Sequence, residues 1–145
     1  ADTVQRFVDC GISAMGGGAN PFTAKMVAEY CKQGGWDAHI VWLREQYQAR
    51  CEVALDALKM YMPDNVKWTY PQGGYFIWVT LPDAIRVSEF EQIANAHNVY
   101  FASGRGFFVN PEQGEHHIRI SFSYVSSKDM QTGIEILGRL IQDNM

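Results

Sequence analysis

His116-His117-Ile118-Arg119-Ile120-Ser121-Phe122-Ser123 alternates with the two-residue period of a β-strand. The alternation predicts Ile118, Ile120, Phe122 and Tyr124 on one face, and His117, Arg119, Ser121 and Ser123 on the other. A guanidinium inside such an apolar strand needs a reason, because burying an unpaired charge is costly. Arginine is also the side chain whose planar fork of donors fits a carboxylate through two parallel hydrogen bonds. Two readings of Arg119 therefore stand side by side: a residue paired with a nearby acid, or a receptor for a carboxylate ligand. Ser121 and Ser123 are small and neutral, and on the same face they would leave room for a ligand.

Working outward from this strand, Tyr75 to Leu81 is a continuous apolar run between the turn Pro71-Gln72-Gly73-Gly74 and Pro82-Asp83. It reads as a central strand. Val66-Lys67-Trp68-Thr69-Tyr70 alternates like a second strand, and Val99-Tyr100-Phe101 like a short third one. The loop Ser103-Gly104-Arg105-Gly106 is expected to carry Phe107 or Phe108 into the core.

Helices flank these strands. Asn20-Pro21 is a helix start, with Asn as cap and Pro at the first helical position, and Gly34-Gly35 an end. Phe22, Met26 and Tyr30 share one face between them. Asp37 is placed to cap a longer helix in which Leu43, Tyr47, Ala54, Leu58 and Tyr61 recur at helical spacing until Pro63. Ser88-Glu89-Phe90-Glu91 has capping-box spacing, and Ser126 to Asp129 opens a last helix striped by Met130, Ile134, Leu137 and Ile141. The order is helix, helix, strand, strand, helix, strand, strand, helix. It predicts an α/β fold of the α+β sandwich type: a small mixed or antiparallel sheet of about four strands with helices packed on it.

Residues 1–20 stand apart. Val4, Phe7 and Val8 suggest a short helix that Met15-Gly16-Gly17-Gly18-Ala19-Asn20 then breaks. The expected division is a leader over 1–20, made to pack on something else, and a domain over 21–145.

Composition excludes several functions. A chain of 145 residues with an apolar fraction of 47% can build one hydrophobic core. Its net charge of −4 and lack of any basic cluster argue against nucleic acid as partner. No apolar run has the length of a membrane span. Cys10, Cys31 and Cys51 form no CxxC pair, which points to reduced thiols and a cytoplasmic setting, with an organelle left open. The lone GxG at Gly104 is no dinucleotide fingerprint, and no Lys-Ser or Lys-Thr follows Gly16-Gly17-Gly18 to make a phosphate loop. His116 and His117 are adjacent in a strand and point to opposite faces, while His39 and His97 stand alone, so no metal site is expected. Ser121 and Ser123 sit in no GxSxG elbow.

Four ordered stretches now acquire a common meaning. Pro71-Gln72-Gly73-Gly74-Tyr75-Phe76-Ile77-Trp78-Val79-Thr80-Leu81-Pro82 resembles the P-x-G-G-M-F-x-W-x-x-L-P segment of class I/II, fold type I pyridoxal-phosphate aminotransferases. Ser103 to Phe108 resembles their P-G-x-x-F loop, with Ser103 where proline is usual. His117 to Ser123 is similar to their x-x-R-L-S-F-S strand, and Gly133-Ile134 with Leu137 and Leu140 to their final helix. Gly34-Gly35-Trp36-Asp37 with His39, Ile40, Leu43 and Arg44 is similar to the aminoadipate/kynurenine-type branch.

The resemblance implies a small-domain fold, with Arg119 as the residue that binds the substrate's α-carboxylate. It implies a parent transaminase that moves an amino group between an amino acid and a 2-oxo acid. The parent would use pyridoxal 5'-phosphate, work as a homodimer and contain a large domain preceding this region. The Schiff-base lysine and the other cofactor-binding groups would lie in that large domain. Lys25, Lys32, Lys59, Lys67 and Lys128 match no such setting, so no catalytic and no cofactor-binding residue is expected in this chain, and by itself it would be inactive. The alternative is a non-catalytic binding or regulatory module with an aminotransferase-like fold. On the resemblance, Arg119 should face one half of a cleft and hold water, an anion or a local acid.

Overall fold

Proline at a first helical position has its φ already set for the helix and gives up an N–H that would be unbonded there. Helix α1 (Pro21–Lys32) starts in this way in the computed structural model, which describes residues 21–145 together with Thr3, Gln5 and Arg6. The expected Asn20 cap, the leader residues Val4, Phe7 and Val8, and Gly16-Gly17-Gly18 lie outside the described residues. The chain divides into two compact units, one ending at Leu43 and one running from Arg44 to Met145.

In the first unit, Gly34 at φ 78° makes the left-handed turn that separates α1 from helix α2 (Gly35–Tyr61). Asp37 lies in the first turn of α2 and is not its cap, because the helix already begins at Gly35. The expected apolar face of α1 is present but faces solvent, with Phe22 73% and Met26 58% exposed. Tyr30 Oη donates to the Gly35 carbonyl at 3.2 Å, and the His39 and Trp42 rings stack at 5.7 Å.

The second unit holds the sheet. Strands β1 (Lys67–Trp68), β2 (Phe76–Thr80), β3 (Ala102–Ser103) and β4 (His117–Ser121) lie in the order β1-β2-β4-β3, every pair antiparallel. The apolar run at 75–81 is thus an inner strand, as read, and the Arg119 strand is the other. Ile77 pairs with Ile120 and Val79 with Ile118, so all four point the same way. They join one buried cluster with Leu58 of α2, Phe90 of helix α3 (Val87–Ala96), and Ile134, Leu137 and Ile141 of helix α4 (Ser127–Asp143).

Three expectations change. Val99-Tyr100-Phe101 is no strand; pairing with β4 begins at Ala102, because α3 ends through Asn98 at φ 59° and the chain joins the ladder only later. Tyr124 is 91% exposed, since β4 ends at Ser121 and the alternation does not run on. Arg50 of α2 holds the chain beyond that point, donating to the Ser123 carbonyl at 2.6 Å and to that of Val125 at 3.3 Å. Finally, α3 has no side-chain cap from its own sequence: the Ser88 N–H donates to the Glu115 carboxylate at 3.0 Å, and the Val87 N–H to the Glu115 carbonyl at 2.8 Å. By contrast α4 opens as expected, with Ser126 Oγ accepting from the Asp129 N–H at 3.1 Å.

Two 3₁₀ turns, η1 (Gly104–Phe107) and η2 (Pro111–Gly114), lie between β3 and β4. No helix among the described residues is long and apolar enough to cross a membrane.

Candidate functional site

Register decides which side chains surround Arg119. It lies opposite Trp78 of β2 on one side and Ala102 of β3 on the other. Because side chains alternate across a strand, the face opposite the core carries Phe76, Trp78 and Thr80 from β2, and His117, Arg119 and Ser121 from β4.

The Arg119 guanidinium rests between two aromatic rings. Its Cζ is 3.7 Å from the Phe76 ring centre and 4.7 Å from that of Phe107. Among the described residues no carboxylate forms an ion pair with it; Asp129 lines the same cavity without reaching it. Its Nε–H is buried and meets no acceptor. A charge held by π-faces keeps its N–H fork unused, which is the condition a carboxylate receptor needs. Arg119, Phe76 and Ser121 line a cavity of about 450 Å³ that continues past Tyr100 and Tyr124 to Met130.

Phe107 does not enter the core; it is 50% exposed and sits edge-on to Trp78 at 5.4 Å. Phe108 is half-buried and stacks on His117 at 5.6 Å, while His117 stacks on Trp78 at 5.5 Å. His117 Nδ1 lies 3.2 Å from Thr80 Oγ1. Burial, with the neighbouring His116 second, pushes the His117 pKa below its ordinary value and favours the neutral ring beside Arg119. His116 points elsewhere, its Nδ1 2.8 Å from the Ile85 carbonyl. No group of His, Cys, Asp and Glu among the described residues could hold a metal ion.

The turn that carries Phe107 is fixed from behind. Gly104 and Gly114 pass so closely that a Cβ on Gly104 would meet the His117 carbonyl at 2.5 Å, and one on Gly114 the Arg105 nitrogen at 2.5 Å. Glu115, only 1% exposed, forms an ion pair with Arg105 Nη1 at 3.0 Å and lies 3.5 Å from Arg86 Nη2. Burial pushes the Glu115 carboxyl up, but hydrogen bonds from Ser88 and the charges of Arg105 and Arg86 outweigh it and leave the pKa below the usual value. Ser103, standing where the related loops have proline, keeps the turn ordered differently: its Oγ accepts from the Arg105 N–H at 3.4 Å.

Sequence reasoning located Arg119 and its strand but not Phe107, Arg105 or Glu115. In the sequence Glu115 is a loop acid directly before the alternation that starts at His116, with no pattern of its own to mark it. Only its contacts with Ser88 and Arg86, far away in sequence, give it a task.

Known proteins share the sequence pattern and the fold. Residues 13–137 match the profile of the family described as Aminotransferase class I and II. An aromatic-amino-acid aminotransferase of Thermococcus litoralis is 35% identical over 87% of this chain and 30% of its own length. An HTH-type transcriptional regulator of Bacillus subtilis is 32% identical over 81% of this chain and 24% of its own. The crystal structure of a multiple substrate aminotransferase from Thermococcus profundus superposes with a TM-score of 0.81 at 30% identity, over 99% of this chain and 34% of that one. The chain thus spans about a quarter to a third of the length of these proteins.

Proposed function

Because this chain belongs to the class I and II aminotransferase family, we propose that it is the C-terminal small domain of a pyridoxal-phosphate-dependent transaminase. Residues 1–20 would be a leader packed on the large domain and 21–145 the small domain. The parent would pass an amino group between an amino acid and a 2-oxo acid, and would work as a homodimer. Arg119 would bind the α-carboxylate common to both substrates. The observation that carries this reading is the donor fork of Arg119, held by Phe76 and Phe107 and in no ion pair with a carboxylate among the described residues.

When bound, pyridoxal phosphate supplies the electron sink for bond breaking at the substrate Cα. The residues here do not fit it. Lys25, Lys32, Lys59, Lys67 and Lys128 are all exposed, and none lines the Arg119 cavity. Those groups would belong to the large domain. What this chain contributes is orientation: two parallel hydrogen bonds to the carboxylate fix where Cα sits. The aromatic wall around Arg119 keeps water from those bonds and so strengthens them.

The test is steady-state transamination by the full-length enzyme that carries this chain. Arg119→Ala removes two charge-assisted hydrogen bonds, and kcat/KM should fall by about 10²- to 10⁴-fold for amino acid and 2-oxo acid alike. An unchanged kcat/KM would sink the assignment. The similarity to an HTH-type regulator favours a second reading, a ligand-sensing domain in which Arg119 has the same task. In that case a carboxylate ligand binds the full-length protein, with loss on Arg119→Ala, and no turnover accompanies it.

A further inference from the structure

We propose that Phe107, together with Phe76, is a positioning residue of the Arg119 site: the two rings hold the guanidinium in place without occupying its donors. This rests on the carboxylate-binding reading of Arg119. An arginine side chain has many rotamers, and freezing them on ligand binding subtracts from affinity. An acidic neighbour would freeze the side chain too, but would fill the fork that the ligand needs. Phe76 and Phe107 avoid this conflict, lying 3.7 Å and 4.7 Å from Cζ, because a ring face attracts the cation and accepts no strong hydrogen bond.

The two rings come from different places. Phe76 belongs to an inner strand, whose register places it one alternation from Trp78, the direct partner of Arg119. Phe107 belongs to a turn, and a half-exposed ring on a turn would ordinarily be a poor wall. This turn is stiffened by three contacts: Arg105 on buried Glu115 at 3.0 Å, the close pass of Gly104 and Gly114, and Trp78 edge-on to the Phe107 ring at 5.4 Å. Phe107 is therefore held against the guanidinium of Arg119, and its effect falls on the carboxylate common to every substrate, whatever the side chain.

The experiment compares Phe107→Leu and Phe107→Met, which keep apolar bulk and lose the π-face, with Phe107→Tyr, which keeps it, in the full-length transaminase. KM for the amino acid and for the 2-oxo acid should rise about 3- to 30-fold in the first two variants, with kcat within about twofold of the parent. Phe107→Tyr should restore KM to within about twofold. The dissociation constant of a non-reacting carboxylate, 3-phenylpropanoate, should move in parallel with KM. If KM and that constant stay unchanged in whichever of the two variants folds, while Arg119→Lys weakens both, the positioning role falls and the carboxylate role stands. If Arg119→Lys leaves both unchanged, the carboxylate reading itself has failed.

Discussion

The two faces of the inner strands use the same backbone for opposite ends. On one face Ile77, Val79, Ile118 and Ile120 are buried against α2, α3 and α4. On the other, Phe76, Trp78, His117 and Arg119 are half-buried and make ring-on-ring and ring-on-cation contacts. The aliphatic face is held by area removed from water, which is non-directional. The aromatic face depends on orientation, because a ring attracts charge over its face and other rings at its edge. Stability should therefore reside in the first and function in the second.

Three substitutions challenge that division. The largest loss is expected for Ile118→Ala, since Ile118 is fully buried on the aliphatic face: about 2–5 kcal/mol in denaturant unfolding. Glu115→Gln, behind the aromatic face, should come next at about 1–3 kcal/mol, because two arginines and the α3 N-terminus lose their buried anion. That loss carries a pH signature. The folded-state pKa of Glu115 is depressed, so its contribution is complete above the unfolded value of about 4.3 and disappears as the pH falls through the lower folded value. Unfolding curves of the parent and Glu115→Gln should thus differ most at neutral pH and converge in acid; a constant gap would deny the carboxylate its charge-dependent role. Phe107→Leu should have the smallest effect on stability, within about 0.5 kcal/mol, as a half-exposed turn residue outside the core. A change as large as that of Ile118→Ala would erase the distinction between the faces.

The same division separates what was legible in the sequence from what was not. Both inner strands, the final helix and its Ser126 cap follow from short-range patterns, because alternation and capping involve neighbours within a few residues. The expected strand at 99–101 failed because a strand exists only where another offers a ladder, and β4 offers one to Ala102 and Ser103. Ser88 invited a capping box with Glu91, but Glu115 reached the helix end first through a tertiary contact. The loop at 103–106 is expected to carry Phe107 or Phe108 into the core, and nothing local reveals that a cation stands on the outer face to receive Phe107.

By itself, then, the sequence determined the order of elements, the two-faced strand of Arg119, Arg119 as an anomalous charge and the family to which its motifs point. The tertiary structure alone decided how that charge is satisfied. Periodicity assigns a side chain to a face, but the partners on that face come from register and from loops that close across long sequence separations. At Arg119 those partners are two rings, with no ion pair to an acid among the described residues, and its buried Nε–H is left without an acceptor.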